Sequence, residues 1–332
     1  MINKRAYSTL LFILAFLNGF VSAQVDTLHY LPPLYYTGNT NNDYGDQYLL
    51  LSTFETIPFS VRVRTRDGSY DQTFSISQST PAQIDMGYQF AAVGLIGPTQ
   101  KNTPLNDEGL IVSGPEPFFV NVTHKTSIQA CIITSKGTVG LGKEFYAGFM
   151  ASVLEDNNAS NSRNKRRSHF ISVMATENNT FVTFNNPRVQ WDGHPSSSFT
   201  VSLQAGQSYV VTKDFHNSGL NNTTVNHFNG TKVTSNKPVS VISGSWTSAM
   251  DKGVRDIGLD QIVPIDIVGD EYIVLRGNGS NLVERVIVVS VGGTNNIYLN
   301  GSSTPYATLN GAGDYVIIPE NQYSGNDNMY IQ

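Results

Sequence analysis

Three observations make this 332-residue chain an all-β protein of tandem antiparallel modules. Tyr, Phe, Val, Ile and Thr gather in short runs cut by "ENNT", "AGQS", "SNKP" and "GNGSN", the vocabulary of strands and turns. No segment sustains a helical period between caps. The chain also repeats itself: "GLIVSGPEPFFVNV" from Gly109 and "GTKVTSNKPVSVISGSW" from Gly230 set a proline at the same distance from the opening glycine. Both read as strand, turn, strand.

Taken in order, residues 1–23 read as a signal peptide. Lys4 and Arg5 precede an apolar stretch from Leu10 to Phe20, and Val21-Ser22-Ala23 supplies the small residues of a cleavage site. The apolar stretch is short for about 30 Å of hydrocarbon, and no later segment is long or apolar enough to span a membrane. Cleavage near Ala23 gives a secreted or cell-surface chain. It removes two of the 21 basic residues and none of the 26 acidic ones, so the mature chain is acidic. That excludes the basic face a nucleic-acid binder needs. Cys131, the one cysteine, lies in the apolar "IQACIITS" and is expected in a core, so burial must hold the fold together without disulfides.

After a lead-in at 24–44, module 1 is expected at 45–150, a polar basic loop at 151–168, module 2 at 169–281 and module 3 at 282–332. The period is roughly 115 residues. "FISVMATENNTFVTFNN" resembles "VIVVSVGGTNNIYLNG", "GKEFYAGF" resembles "GDEYIVL", and "LQAGQSYVV" resembles "LNGAGDYVI" with Tyr209 matched to Tyr315. "NMYIQ", Asn328 to Gln332, takes the place of "GTKVTS", and the Lys-Pro hairpin that should follow is absent. Module 3 is therefore expected to be truncated, its edge open. Sandwich-like packing is favoured, with a β-propeller as the alternative.

"HYLPPL", "QYLLLST", "FISVMATENNTFVTF", "GTKVTSNKPVSV", "GLDQIVPIDIVGDEYIVLRGNGSN" and "NMYIQ" together resemble the IgGFc-binding-protein N-terminal domain family. The resemblance covers nearly the whole mature chain. It implies an extracellular binding role, and among bacterial relatives a place in large gliding-motility or type IX-secreted surface proteins.

Chemistry-bearing patterns are sparse. The six histidines form no H-E-x-x-H, and "SGSWTS" around Ser245 lacks the second glycine of a nucleophile elbow. No metal and no cofactor is expected. Asp256 and Asp260 offer a loop calcium site as the sharper alternative to turn capping. The candidate ligand contacts are Trp191 and Trp246, as aromatic platforms for sugar rings or as module caps, and Arg163, Lys165, Arg166 and Arg167, as a loop tip for anionic glycans. The sequence predicts a non-enzymatic exported scaffold binding an extracellular glycan or protein, the N-terminal part of an adhesion or gliding-associated protein. A coat or filament subunit assembling by strand exchange and a secreted carbohydrate-active enzyme are the alternatives.

Overall fold

The computed structural model describes residues 24–37, 45–88, 93–126, 129–154, 166–216, 220–279 and 283–332. The leader, Arg163 and Lys165 lie outside them. The first unit contains β1 (Asp26–Leu31), β2 (Leu34–Tyr35), β3 (Gly45–Ser52), β4 (Phe59–Arg64), β5 (Asp71–Ile76), β6 (Ala82–Tyr88), β7 (Leu95–Ile96), β8 (Leu110–Thr126) and β9 (Ala130–Thr134). The second contains β10 (Gly142–Ala147), β11 (Ser168–Ala175), β12 (Thr180–Asn185), β13 (Ser198–Leu203), β14 (Ser208–Asp214), a short helix α1 (Asn222–Asn226), β15 (Thr231–Asp251) and β16 (Val254–Gln261). In the third are β17 (Tyr272–Leu275), β18 (Val286–Val289), β19 (Asn295–Ile297), β20 (Ala307–Leu309), β21 (Tyr315–Ile318) and β22 (Asn328–Ile331).

The first two units share one topology. Strand order is β5-β4-β8-β3-β6 in one and β13-β12-β15-β11-β14 in the other, with β1 and β9, or β10 and β16, added on the long strand. This is an antiparallel sheet curled into a half-barrel, and its order is not the consecutive meander of a propeller blade. Inward residues alternate along every strand: Leu49, Leu51, Val61, Val63 and Val120 fill the first core, and Ile171, Val173, Val182, Phe184 and Val241 the second.

The long strand is where the expected hairpin is corrected. Residues 232–235 of β15 pair with β12, residues 239–246 pair with β11, and Asn236-Lys237-Pro238 pair with neither. In β8 the same corner falls between Ser113, paired to β4, and Phe119, paired to β3. The chain does not reverse there; it bends from one half of the sheet to the other. Pro115, Pro117 and Pro238 stand at the corner, where a missing N–H costs no ladder bond. Thr53 Oγ1 donates to Pro117 O at 2.8 Å, and Thr176 Oγ1 to Pro238 O at 2.7 Å.

Strand pairing also moves the unit boundaries. β10 lies before residue 150 yet pairs with β15, and β17 lies before residue 281 yet pairs with β22. "GKEFYAGF" and "GDEYIVL" are thus the opening strands of units two and three, as "DTLHYL" is of unit one. The Tyr209–Tyr315 match shifts by one residue. Gly206 N donates to Ala175 O and Gly313 N to Ser290 O, which makes Tyr209 the counterpart of Val316. Tyr209 packs in the second core, while Tyr315 faces out beneath Arg188, 5.3 Å from its ring centre.

In the third unit β17 pairs β22, β18 pairs β21 and β19 pairs β20, the same set of hairpins and ladders. Counterparts of the second half of the long strand, and of β9 and β16, are not among the described residues. Whereas β3 and β11 are paired on both edges, β18 is paired on one.

Candidate functional site

Of the four predicted contact residues that are described, Trp191, Trp246 and Arg167 are buried. Trp191 is 1% exposed and packs on Phe228 and Phe149, with ring centres 4.9 and 6.1 Å away. Trp246 is fully buried, its ring 5.3 Å from Tyr36 and 4.8 Å from His124. Neither can offer a face to a sugar, and the alternative reading, a ring closing a core, is the one the packing supports. Arg166 and Arg167 lead directly into β11 and are not at a loop tip. Arg167 is fully buried, its guanidinium donating to Val153 O, and Arg166 O accepts from Thr247 Oγ1. Asp256 and Asp260 stand on β16 itself and not in a loop. Asp260 is paired to Lys136 at 2.7 Å, and Asp256 accepts the N–H of Ile257 at 2.8 Å. Among the described residues no three His, Cys, Asp or Glu side chains are placed to hold a metal ion.

Sequence reading missed a serine–histidine contact. His169 Nε2 lies 3.0 Å from Val225 O, a pure acceptor, so that nitrogen carries the proton. Nδ1 then accepts from Ser245 Oγ at 2.8 Å. The polarity suits nucleophile activation, but both residues are fully buried and the imidazole is walled by Phe149, Phe215 and Phe228. Burial holds its pKa down to about 3. His29 repeats the arrangement in unit one, 3.0 Å from Ser135 Oγ and 3.1 Å from Phe118 O. The two pairs tie strands together inside each unit. Cys131 packs against the core between the first two units, and burial pushes its thiol up to about 12.

The exposed apolar surface gathers instead on unit three. Alternation on β17 sends Tyr272 and Val274 inward over Ile331 and Met329, and Ile273 and Leu275 outward. Ile273 and Leu275 are 73% and 74% exposed, and Ile267 and Val268, a few residues before the strand, are exposed as well. Phe145, the counterpart of Tyr272 in unit two, is fully buried, whereas Tyr272 is 47% exposed. Behind it opens a cavity of about 420 Å³ lined by Val268, Tyr272, Val288, Val291, Ile297 and Leu309. Exposed apolar side chains of this size are what a surface that meets another protein offers.

Residues 132–332 match the family described as IgGFc binding protein, a span that takes in the whole of units two and three. No curated protein matches the chain. Among the described residues no helix is long and apolar enough to cross a membrane.

Proposed function

The chain belongs to the IgGFc binding protein family, and from that premise we propose that it is an exported, non-enzymatic scaffold that captures an extracellular protein through the apolar face of unit three. The observation that carries this reading is the outer face of β17, where Ile273 and Leu275 lie exposed on the same side of the strand. Large apolar residues at such exposure stabilise nothing in the isolated chain, and they become favourable only when a partner covers them. Adhesion, or a gliding-associated surface role, follows if several such chains act together through effective concentration.

The Fc fragment named in the family description is the first probe. Immobilised chain should retain Fc, and the pair Ile273→Asp and Leu275→Asp should weaken that by at least about tenfold while leaving the thermal midpoint of units one and two in place. Retention unchanged by the pair would remove unit three from the binding reading. Location is tested separately with an antibody against residues 24–332 on intact cells. Surface protease should abolish its signal, and a signal confined to the cytoplasm would refute export.

A further inference from the structure

Where units one and two meet, the outer face of the first sheet forms a crease. Register places Tyr30 of β1 beside Ile111 of β8, and Ile111 beside Arg64 of β4, in one cross-strand row. The β13–β14 turn of unit two, Ala205 and Gly206, closes over that row, with Thr176 at its side. The crease encloses about 460 Å³ and is lined by Tyr30, Arg64, Arg66, Ile111, Thr176 and Gly206.

Its charges are unbalanced. Arg66 is fixed, its Nε donating to Ala205 O at 2.8 Å and its Nη1 to Asn106 Oδ1 at 2.7 Å. Arg64 is not: its one hydrogen bond among the described residues is a marginal 3.5 Å contact from Nη1 to Thr65 O. Asp71 lies opposite Arg64 in the ladder, but its carboxylate is taken by Arg62, whose Nε donates at 2.7 Å. Asp67 is likewise occupied, accepting from Thr65 Oγ1 and from the N–H of Ser69. In a chain of net charge −5, this leaves a guanidinium without an ion-pair partner inside a partly enclosed space, with a second guanidinium beside it. Tyr30 and Arg64 both line the crease, and while burial raises the Tyr30 phenol, the Arg64 charge opposes the rise.

We propose that the crease binds an acidic saccharide, its carboxylate or sulfate forked by Arg64 and met by the Tyr30 hydroxyl, its ring lying on Ile111 and the Tyr30 ring. Planar anions suit a guanidinium bidentately, and a phenol ring with an aliphatic neighbour suits the apolar face of a sugar. Crevices between units are where small-ligand sites recur, and the volume suits one or two sugar rings. This site is separate from the apolar face of unit three, so either can fail alone.

Calorimetric titration of the purified chain tests it, with glucuronic acid, glucose 6-sulfate, glucose and acetate as probes at low salt. One of the two acidic sugars should bind with Kd of about 1 mM or tighter, and which one does so identifies the anion. Arg64→Gln should weaken that binding by about tenfold or more, as expected for a lost charge-assisted pair. Lys143→Gln removes an equal charge from an exposed position on β10, outside the crease, and should change it little. Equal binding by the two variants would reduce the effect to net charge and overturn the site. So would acetate binding as tightly as the acidic sugars, or no binding of either sugar at about 10 mM.

Discussion

The two junctions between units are built from different materials. Between units one and two lies a full apolar core, with Leu34, Tyr35, Tyr36, Leu95, Ile96 and Leu105 packed on Phe170, Val210, Ile242 and Trp246. Within it Lys101 Nζ sits 2.8 Å from Asp214 Oδ2 and 2.9 Å from Thr212 Oγ1, and the Tyr35 hydroxyl donates to the same carboxylate. Burial raises the Asp214 carboxyl against the pull of Lys101. Between units two and three no buried apolar cluster is shared among the described residues, and the closest approach is backbone on backbone. Gly230 and Gly313 approach so closely that a Cβ on Gly230 would lie 1.9 Å from Gly313 O, and Arg188 Nη2 donates to Gly313 O at 2.8 Å. Desolvation fixes the first junction, and the second lacks a shared buried core among the described residues. Units one and two should therefore unfold together, with unit three free to open before them.

The largest test of that contrast is Trp246→Ala. It removes a fully buried indole from the first junction and should cost about 3–5 kcal/mol. Chemical denaturation followed separately in units one and two should show both midpoints falling together. A fall confined to unit two would mean that the shared core does not couple them.

Acid provides the next test. His124 stands at the same junction, edge-on to Trp246, and burial alone holds its pKa down to about 4. Its folded pKa is depressed, so the unfolded chain takes up the proton first as pH drops below about 6.5. The stability tied to the neutral ring is full above that pH and is lost at about 1.4 kcal/mol per pH unit until about pH 4. His124→Phe should remove one proton from the stability–pH slope between those limits, a relative gain of about 2 kcal/mol at pH 5. His169 and His29, also depressed by burial, keep their own share of the slope. An unchanged slope would place His124 in contact with water.

Arg188→Ala is the smallest. It should cost about 1–2 kcal/mol, felt only at the second junction. Hydrogen exchange should rise in β20 and β21 while units one and two keep their midpoint. If the whole chain loosens, the second junction is as cooperative as the first.

The alternation of Val, Ile and Phe made the strands and the tandem units legible, and it matched "GKEFYAGF" to "GDEYIVL" while setting each at the end of the module before its own. The corner in β8 and β15 was not, because a period-two pattern interrupted by Asn-Lys-Pro is the same whether the chain reverses or bends. What decides is which strand lies beside each half, and that is set by contacts far away in sequence. The tryptophans misled for a related reason. Trp191 and Trp246 sit among Gly, Ser and Asp, the company of exposed turns, yet small neighbours are also what close packing needs. A Cβ on Gly244, two residues before Trp246, would lie 2.3 Å from the Leu259 Cβ on β16. Arg64 gave no signal at all, since its importance depends on Asp71 having turned to Arg62 and on a turn about 140 residues later closing the crease.

Each corner strand comes near the end of its unit, after the strands it must join. For a polypeptide that emerges N-terminus first, β3 to β6 can form hairpins early, but neither half of the curled sheet can close until residues 110–126 arrive. The same delay recurs at residues 231–251. Maturation would then advance in pulses, one late strand locking one unit at a time, with apolar faces exposed in the intervals.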